Sequence, residues 1–317
     1  MKKLLILSAM CMAMTAQATV LRVSNVTNSG APYSTISAAF EAAIEGDTIM
    51  VDGSPDNYEL TNGITKRIVL IGPGYFLTEN STQATGSAPA IINSDLSIVA
   101  EAAGSIIQGM TLNKAVTISA TNVVITRCMV NGVIKIGAEA SNTIIHQNYI
   151  TNFTGGDSEN DAPYHVQITN NIITAGISTN IIHFIKESHI AYNTFTGRGY
   201  GDTSTQPFNG ITNCVVENNF FTTAEKEYTN CTFANNYWTG STYTAPYSSC
   251  KTDLEVKNKE LSEEVAAAIV DKGAFAGDDP YVISGVPAGP MIKDITVPAS
   301  VEQGKTLNVT IKLGIQK

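Results

Sequence analysis

A seven-residue pattern of apolar and polar positions recurs seven times between Ile106 and Trp238. Its second and seventh positions are apolar in every copy, and its fifth position is asparagine in the last five copies. The copies read IIQGMTL, VITRCMV, IIHQNYI, QITNNII, HIAYNTF, VVENNFF and TFANNYW, and successive copies start 18, 20, 23, 22, 26 and 17 residues apart. A repeat with a period near twenty residues predicts a solenoid.

The composition of the repeated phrase predicts strands. Each copy holds three apolar-rich residues, a polar pair and a shorter piece, which is too little for a helical hairpin, and Val, Ile, Thr, Phe and Tyr suit a pleated, half-buried surface. An asparagine at a fixed bend tolerates left-handed backbone geometry. Asparagine amides stacked about 4.8 Å apart can also hydrogen-bond along the axis. We therefore predict a parallel β-helix with an asparagine ladder: Asn148, Asn171, Asn193, Asn219 and Asn236. The alternative, a β-sandwich, would not place five asparagines in one column.

The segments that flank the repeats predict a cap and a tail. Apolar residues at helical spacing in Ser34–Ile44 predict a short amphipathic helix that covers the open end of the coil stack. A second short helix is predicted over Leu261–Asp271. Two alternating strands, 291–298 and 307–313, predict a β-hairpin tail, which also resembles the opening strands of an immunoglobulin-like module or an attachment segment. The predicted division is 1–18, 19–285 for the β-helix and 286–317 for the tail.

Residues 1–18 have the pattern of a signal peptide, with Lys2 and Lys3, an apolar run and an A-x-A site ending at Ala18. We therefore expect a secreted, periplasmic or outer-surface bacterial protein, and no later segment is long and apolar enough to span a membrane. The formal charge is −9, and loss of the two leader lysines would make it −11. This charge argues against a nucleic-acid partner. Cys214 and Cys231 precede neighbouring copies of the phrase, so stacked thiols and a disulfide are both open.

The alanine-rich helix, the GDTI-x-V strand Gly46–Val51 and the isoleucine-rich coils with an asparagine column resemble the pectin-lyase-like right-handed β-helix superfamily. The resemblance covers about residues 20 to 250, and the superfamily includes lyases, hydrolases, esterases, tailspikes and non-catalytic surface proteins. It implies an all-β, single-stranded right-handed parallel β-helix in which the repeated phrase is strand two, bend and strand three. It also implies that long loops after strand three wall a groove floored by strand one.

Two long insertions, 151–165 and 196–212, are assigned to that position and are expected to rise from equivalent points on one face. The first carries Asp157, Glu159 and Asp161, alternate carboxylates of a type that binds Ca²⁺, although a solvated acidic turn has the same composition. The second carries three further candidates. They are Arg198, which suits a sugar carboxylate, with Tyr200 and Asp202 as substrate-binding residues.

Period-two alternation in the strand-one candidates 116–118, 134–136 and 182–184 exposes Thr117, Lys135 and His183 if Ile and Phe point inward. Lys135 and His183 would then lie on the groove floor near Lys186, a further substrate-binding candidate. With Arg198 they are the catalytic candidates for a β-elimination, in which a cation or Arg acidifies the proton that a base removes. His146 and His165 are assigned structural roles.

The sequence lacks the motif sets of several enzyme classes. We find neither the carboxylate set of polygalacturonases nor the Asp arrangement of pectate lyases, and no Ser-His-Asp series, P-loop or zinc motif. We therefore expect a monomeric protein that binds or acts on extracellular polysaccharide, with Ca²⁺ as the cofactor candidate. The alternative is a non-catalytic adhesin or structural surface protein.

Overall fold

Each copy of the repeated phrase forms two short strands joined by a bend, and equivalent strands of successive copies pair in parallel. The computed structural model describes residues 18–79, 88–174, 182–195, 207–221, 228, 230–238, 267, 269–298, 300, 304 and 306–316. Within these residues the fold is an all-β parallel solenoid, as the sequence predicted.

The first strand of each phrase belongs to a ten-stranded parallel sheet, named sheet 1, which begins before the repeats. Its strands, in spatial order, are Val20–Val23, Thr48–Val51, Val69–Ile71, Ile106–Gln108, Val124–Thr126, Ile144–His146, Gln167–Thr169, His189–Ala191, Val215–Glu217 and Thr232–Ala234. The second residue of each strand points inward, and in the phrase copies up to Val216 this residue is fully buried.

The second strand of each phrase belongs to sheet 2. Its strands are Ile91–Ile92, Thr111–Leu112, Met129–Ile136, Tyr149–Thr154, Ile172–Ile173, Thr194–Phe195, Phe220–Phe221 and Tyr237–Trp238. The two long strands bend onto a third face, which also holds Leu96–Ile98, Val116–Ile118, Ile182–His183 and Phe208–Asn209. The coil therefore has three faces, and the seventh position of the phrase points into the core from sheet 2.

The asparagine ladder is present and runs through five coils. The side-chain amides of the first four asparagines each donate to the Oδ1 atom of the next asparagine at 2.9–3.0 Å and to a main-chain carbonyl of the preceding coil at 2.7–2.9 Å. The ladder residues Asn148, Asn171, Asn193 and Asn219 are fully buried. Because each buried amide has both donors and its acceptor satisfied, the polar column is tolerated inside an apolar core.

The left-handed residue of the bend is the fourth position of the phrase and not the ladder asparagine in the fifth position. The φ angles at Arg127, Gln147, Asn170 and Tyr192 are between 51° and 55°. A second left-handed position stands two residues before each phrase, for example at His165 with φ 55°. Left-handed geometry is uncommon for Arg, Gln and Tyr, so the stacked coils impose it on these residues.

The N-terminal cap is the helix Ile36–Ala42, shorter than the predicted Ser34–Ile44 but in the predicted position. Thr35 begins it by accepting a hydrogen bond from the Ala38 amide at 3.1 Å. Ile36, Ala39 and Phe40 are buried against the first two strands. Two single-turn 3₁₀ helices, Leu77–Glu79 and Ala100–Ala102, are also present. None of the helices among the described residues is both long and apolar enough to cross a bilayer.

The C-terminal part holds the predicted hairpin and a segment that the sequence did not predict. Strands Gly289–Thr296 and Thr310–Gln316 pair antiparallel, which confirms the hairpin. Residues 271–287, here named the strap, lie on the outside of the solenoid. Most of the predicted helix 261–271 and residues 1–17 of the predicted leader lie outside the described residues, and Ile269–Asp271 form a turn.

Candidate functional site

The third face carries the predicted groove-floor residues in the predicted orientation. Lys135 is exposed between buried Ile134 and Ile136, and half-buried His183 follows buried Ile182. Parallel register aligns an outward polar row along this face, made of Ser97, Thr117, Lys135, Thr154, His183 and Asn209.

The predicted inward position of Phe184 is wrong. The strand ends at His183, and Phe184 has a φ of 36° and is half-buried. Its ring lies against Gly210 of the next coil, where an added Cβ would be 2.3 Å from the ring. The chain therefore turns one residue earlier than simple alternation predicts.

The two long segments do not leave equivalent points of their coils, which corrects the sequence prediction. Residues 151–154 of the first segment continue the strand Tyr149–Thr154, so its loop begins at Gly155 and joins the third face to sheet 1. The second segment interrupts the connection from sheet 2 to the third face, and its end forms the strand Phe208–Asn209. Arg198, Tyr200 and Asp202 lie outside the described residues.

The acidic residues Asp157, Glu159 and Asp161 are exposed in the first loop, where Ser158 Oγ donates to Asp161 Oδ2 at 2.9 Å. Within the described part of the chain, no three His, Cys, Asp or Glu side chains are grouped so that they could hold a metal ion. Calcium binding by these three carboxylates thus stays a prediction to which the observed geometry adds nothing.

An open groove of about 650 Å³ lies at the corner between the third face and sheet 1. It is lined by residues from three successive coils: His165, Val166, Gln167, Glu187, Ser188, His189, Asn213 and Val215. His165 closes the first long segment and Asn213 directly follows the second, so the ends of both segments border this one groove.

Backbone geometry explains why these side chains line the groove together. His165, Glu187 and Asn213 all occupy the left-handed position that precedes a strand of sheet 1, with φ angles of 55°, 49° and 54°. Two residues later, Gln167, His189 and Val215 are aligned in register on the outer surface of sheet 1. Two stacked columns of side chains therefore face the same space at a spacing of about 4.8 Å.

The ionisable groups of the groove are paired as imidazole and carboxylate. His165 Nε2 lies 3.5 Å from Glu187 Oε2, and His189 Nε2 lies 2.9 Å from Glu217 Oε1. All four side chains are more than a third exposed, so their partners compete with water. Tyr164 is 40% exposed and meets the edge of the His165 ring, with 5.0 Å between ring centroids.

The groove was missed because His165 was assigned a structural role. Its signal is nevertheless in the sequence: Gly104, Asn122, Asn142, His165, Glu187, Asn213 and Asn230 each stand two residues before a copy of the phrase. His146, by contrast, has the predicted structural role. Its ring nitrogens contact Thr169 Oγ1 at 2.8 Å and Asp279 Oδ2 at 3.0 Å. Lys186 lies at the same corner, where its backbone bridges Tyr164 and Thr212.

Comparison with known proteins yields no match to a family model, to a curated protein or to a solved structure.

Proposed function

We propose that this β-helix binds an extended polysaccharide along the groove at the corner between the third face and sheet 1. The observation that carries the proposal is the open groove itself, lined by six polar and two apolar residues from three successive coils. A repeating surface suits a repeating ligand, because equivalent groups recur along both. We place the ligand parallel to the solenoid axis, along the column formed by His165, Glu187 and Asn213.

The chemistry of the lining suits a polyhydroxyl ligand. Gln167 and Asn213 each offer both amide donors and a carbonyl acceptor, Glu187 and Glu217 accept from hydroxyls, and the imidazoles provide a further donor or acceptor. The exposed Tyr164 ring at the edge of the groove offers an apolar surface with a polar tip. The polar row of the third face, which includes Lys135 and His183, lies around the same corner and could extend the contact.

The proposal includes the expected setting of the protein. Membership of the pectin-lyase-like superfamily, secretion to the bacterial surface and a monomeric state are parts of it, supported by the sequence patterns. We propose binding without turnover as the primary activity, because the motif sets of the polysaccharide-degrading classes are absent from the sequence. A lyase reaction at Lys135, His183 and Arg198 is the alternative.

Affinity measurement against a panel of neutral and acidic polysaccharides tests the proposal. The double variant Gln167→Ala/His189→Ala removes two hydrogen-bonding side chains from the groove, and we expect binding at least about fivefold weaker. The matched control is Gln108→Ala, which removes an outward glutamine from sheet 1 four coils away from His189. Unchanged affinity in the double variant, or no binding to any polysaccharide, would overturn the proposal.

The same assay decides the calcium and catalytic alternatives. If Asp157, Glu159 and Asp161 bind Ca²⁺ and Arg198 engages a sugar carboxylate, binding of acidic polysaccharides should rise with millimolar Ca²⁺ and weaken in Arg198→Ala. If the protein is a lyase, unsaturated products should accumulate with the wild type and disappear with His183→Ala or Lys135→Ala. Binding that ignores chelation, with no product formed, leaves the non-catalytic binder of a neutral polysaccharide.

A further inference from the structure

The strap follows the outer corner between sheet 1 and sheet 2, from the last described coil back towards the first coils. Its direction is seen in five contacts, each made to an earlier coil than the one before. Asp271 accepts from Asn235, the Gly273 amide donates to Asn218, Ala276 accepts from Asn170, Pro280 accepts from Gln147 and Val286 accepts from Arg127. One extended segment of the chain thus touches coils that do not touch each other.

The solenoid recognises the strap mainly through its main chain. Asn170 Nδ2 donates to the carbonyl of Ala276 at 2.9 Å, Gln147 Nε2 to that of Pro280 at 2.7 Å, and Arg127 Nη1 to that of Val286 at 2.9 Å. The three donors occupy the same left-handed position in successive coils and are 1–5% exposed. Main-chain hydrogen bonds from a row of fixed donors are a recurring way to bind an extended peptide.

An apolar stripe lies beneath the strap. The sixth position of the phrase points outward from sheet 2, and Tyr149 and Ile172 at this position are buried together with Tyr75 and with Ala274 and Tyr281 of the strap. The hydroxyl groups of Tyr75 and Tyr281 are 2.5 Å apart. Without the strap, these outward apolar side chains would face water, which costs free energy in proportion to the exposed area.

Two glycines let the strap approach this closely. Gly277 has a φ of 81°, and a Cβ there would be 3.2 Å from the Tyr192 ring. Gly285 has a φ of 61°, and its Cβ would be 2.0 Å from Tyr75 Cε1 and 2.8 Å from the Arg127 carbonyl oxygen. The corner therefore requires glycine at defined places of the segment, in addition to main-chain carbonyls that accept hydrogen bonds.

We propose that this corner is a peptide-binding groove, occupied in cis by the strap, and that the strap is a separable ligand of the coil stack. Its occupant is the chain's own segment 271–287. Its occupancy also determines where the C-terminal hairpin leaves the body: beside the coils of Tyr75 and Gly109, against which Pro287 lies, and not beyond the last coil. This inference is independent of polysaccharide binding, because the two grooves lie at different corners of the coil.

Two pairs of full-length variants test whether the strap is separable. Asp279→Ala removes the side-chain contacts of Asp279 with His146 and Gln147 and keeps its main-chain carbonyl. Asp278→Ala is the neighbouring control of equal charge, exposed and without a hydrogen bond among the described residues. We expect amide hydrogen exchange in the strap to be at least about tenfold faster in Asp279→Ala than in Asp278→Ala, with sheet 1 unchanged. Gly285→Ala should release the strap further, whereas Gly304→Ala, where a Cβ would meet nothing within 4 Å, should not.

A labelled synthetic peptide with the sequence of residues 269–288 then tests whether the corner binds in trans. Gly285→Ala should bind this peptide at least about tenfold more tightly than a scrambled peptide, and wild type should bind neither because its groove is filled. Circular dichroism verifies that the variant keeps its β structure, and Asp279→Ala replaces it if it does not. Equal amide exchange rates of the strap in Asp279→Ala and Asp278→Ala would overturn the proposal. Equal affinity of Gly285→Ala for the strap peptide and the scrambled peptide would also overturn it.

Discussion

At the scale of single residues, the buried thiols of Cys128 and Cys214 show how the core changes the pKa of a side chain. Cys128 occupies the column of the ladder asparagines, and its Sγ donates to the Ile107 carbonyl at 3.6 Å, where a ladder amide would donate in later coils. Burial raises the pKa of Cys128 to about 12, and burial likewise raises the pKa of Cys214 to about 12. Cys128, Cys214 and Cys231 are all free, so the stacked-thiol interpretation of Cys214 and Cys231 is confirmed.

These pKa shifts predict a loss of stability in mild alkali. An unfolded thiol ionises near pH 8.5, while the folded thiols keep their protons up to about pH 12. The unfolded state therefore binds fewer protons in this window, and the free energy of unfolding falls as the pH rises from about 8.5 towards 12. We expect a steeper fall between pH 8.5 and 10 in wild type than in Cys128→Ala/Cys214→Ala, measured by urea unfolding. Equal slopes, or rapid alkylation of both thiols in the folded protein, would contradict this prediction.

At the scale of elements, the asparagine ladder joins neighbouring coils through the bend. Asn171 Oδ1 accepts from both the backbone amide and the side-chain amide of Asn148, and Asn171 Nδ2 donates to Ile145 and Asn193. Removing this side chain leaves the buried backbone amide of Asn148 without its acceptor, whereas Asn193 Oδ1 keeps the hydrogen bond from the Asn171 backbone amide. The ladder is thus a structural element of the fold, as the column in the sequence predicted.

We expect Asn171→Ala to lower the free energy of unfolding by about 1–3 kcal/mol, because buried donors and acceptors lose their partner. Asn131→Ala is the matched control, since Asn131 also donates to an asparagine of a neighbouring coil, Asn113, at 2.9 Å but is exposed. Its loss should change stability by less than about 0.5 kcal/mol. Chemical denaturation of the two variants gives both values. Equal stabilities of Asn171→Ala and wild type would show that the ladder does not hold the coils together.

The elements also show which features were predictable from sequence. Strand positions, the ladder and the outward direction of Lys135 follow from a two-residue alternation, which is a local property. The left-handed fourth position was not assigned correctly, because Arg127, Gln147 and Tyr192 seldom adopt that geometry in isolation and do so here under the constraint of stacking. Prediction of the groove at His165 requires a further alignment, that of the residues two positions before each phrase copy.

At the scale of the whole molecule, the strap changes the mechanical character of the solenoid. A coil of a solenoid contacts only its neighbours, so distant coils are coupled weakly. The strap connects the coil of Asn235 with the coils of Arg127 and Tyr75. The sequence contains one sign of the strap: the outward sixth position of the phrase is apolar in four copies, although no predicted element covers it. These residues are Met129, Tyr149, Ile172 and Phe220. A segment without a period of its own gives no pattern, so sequence alone did not show what covers this stripe.

The last prediction concerns this coupling and uses Trp238, the only tryptophan of the chain, which stacks on Phe221 with 3.9 Å between ring centroids in the last described coil. In wild type, we expect urea unfolding followed by Trp238 fluorescence to coincide with unfolding followed by far-UV circular dichroism. In Gly285→Ala, the clash with Tyr75 frees one end of the strap, and the Trp238 transition should move to a urea concentration lower by about 0.5 M or more. Gly304→Ala serves as the control and should keep the transitions together. Coincident transitions in Gly285→Ala would mean that neighbour contacts alone couple the coils and that the strap only covers them.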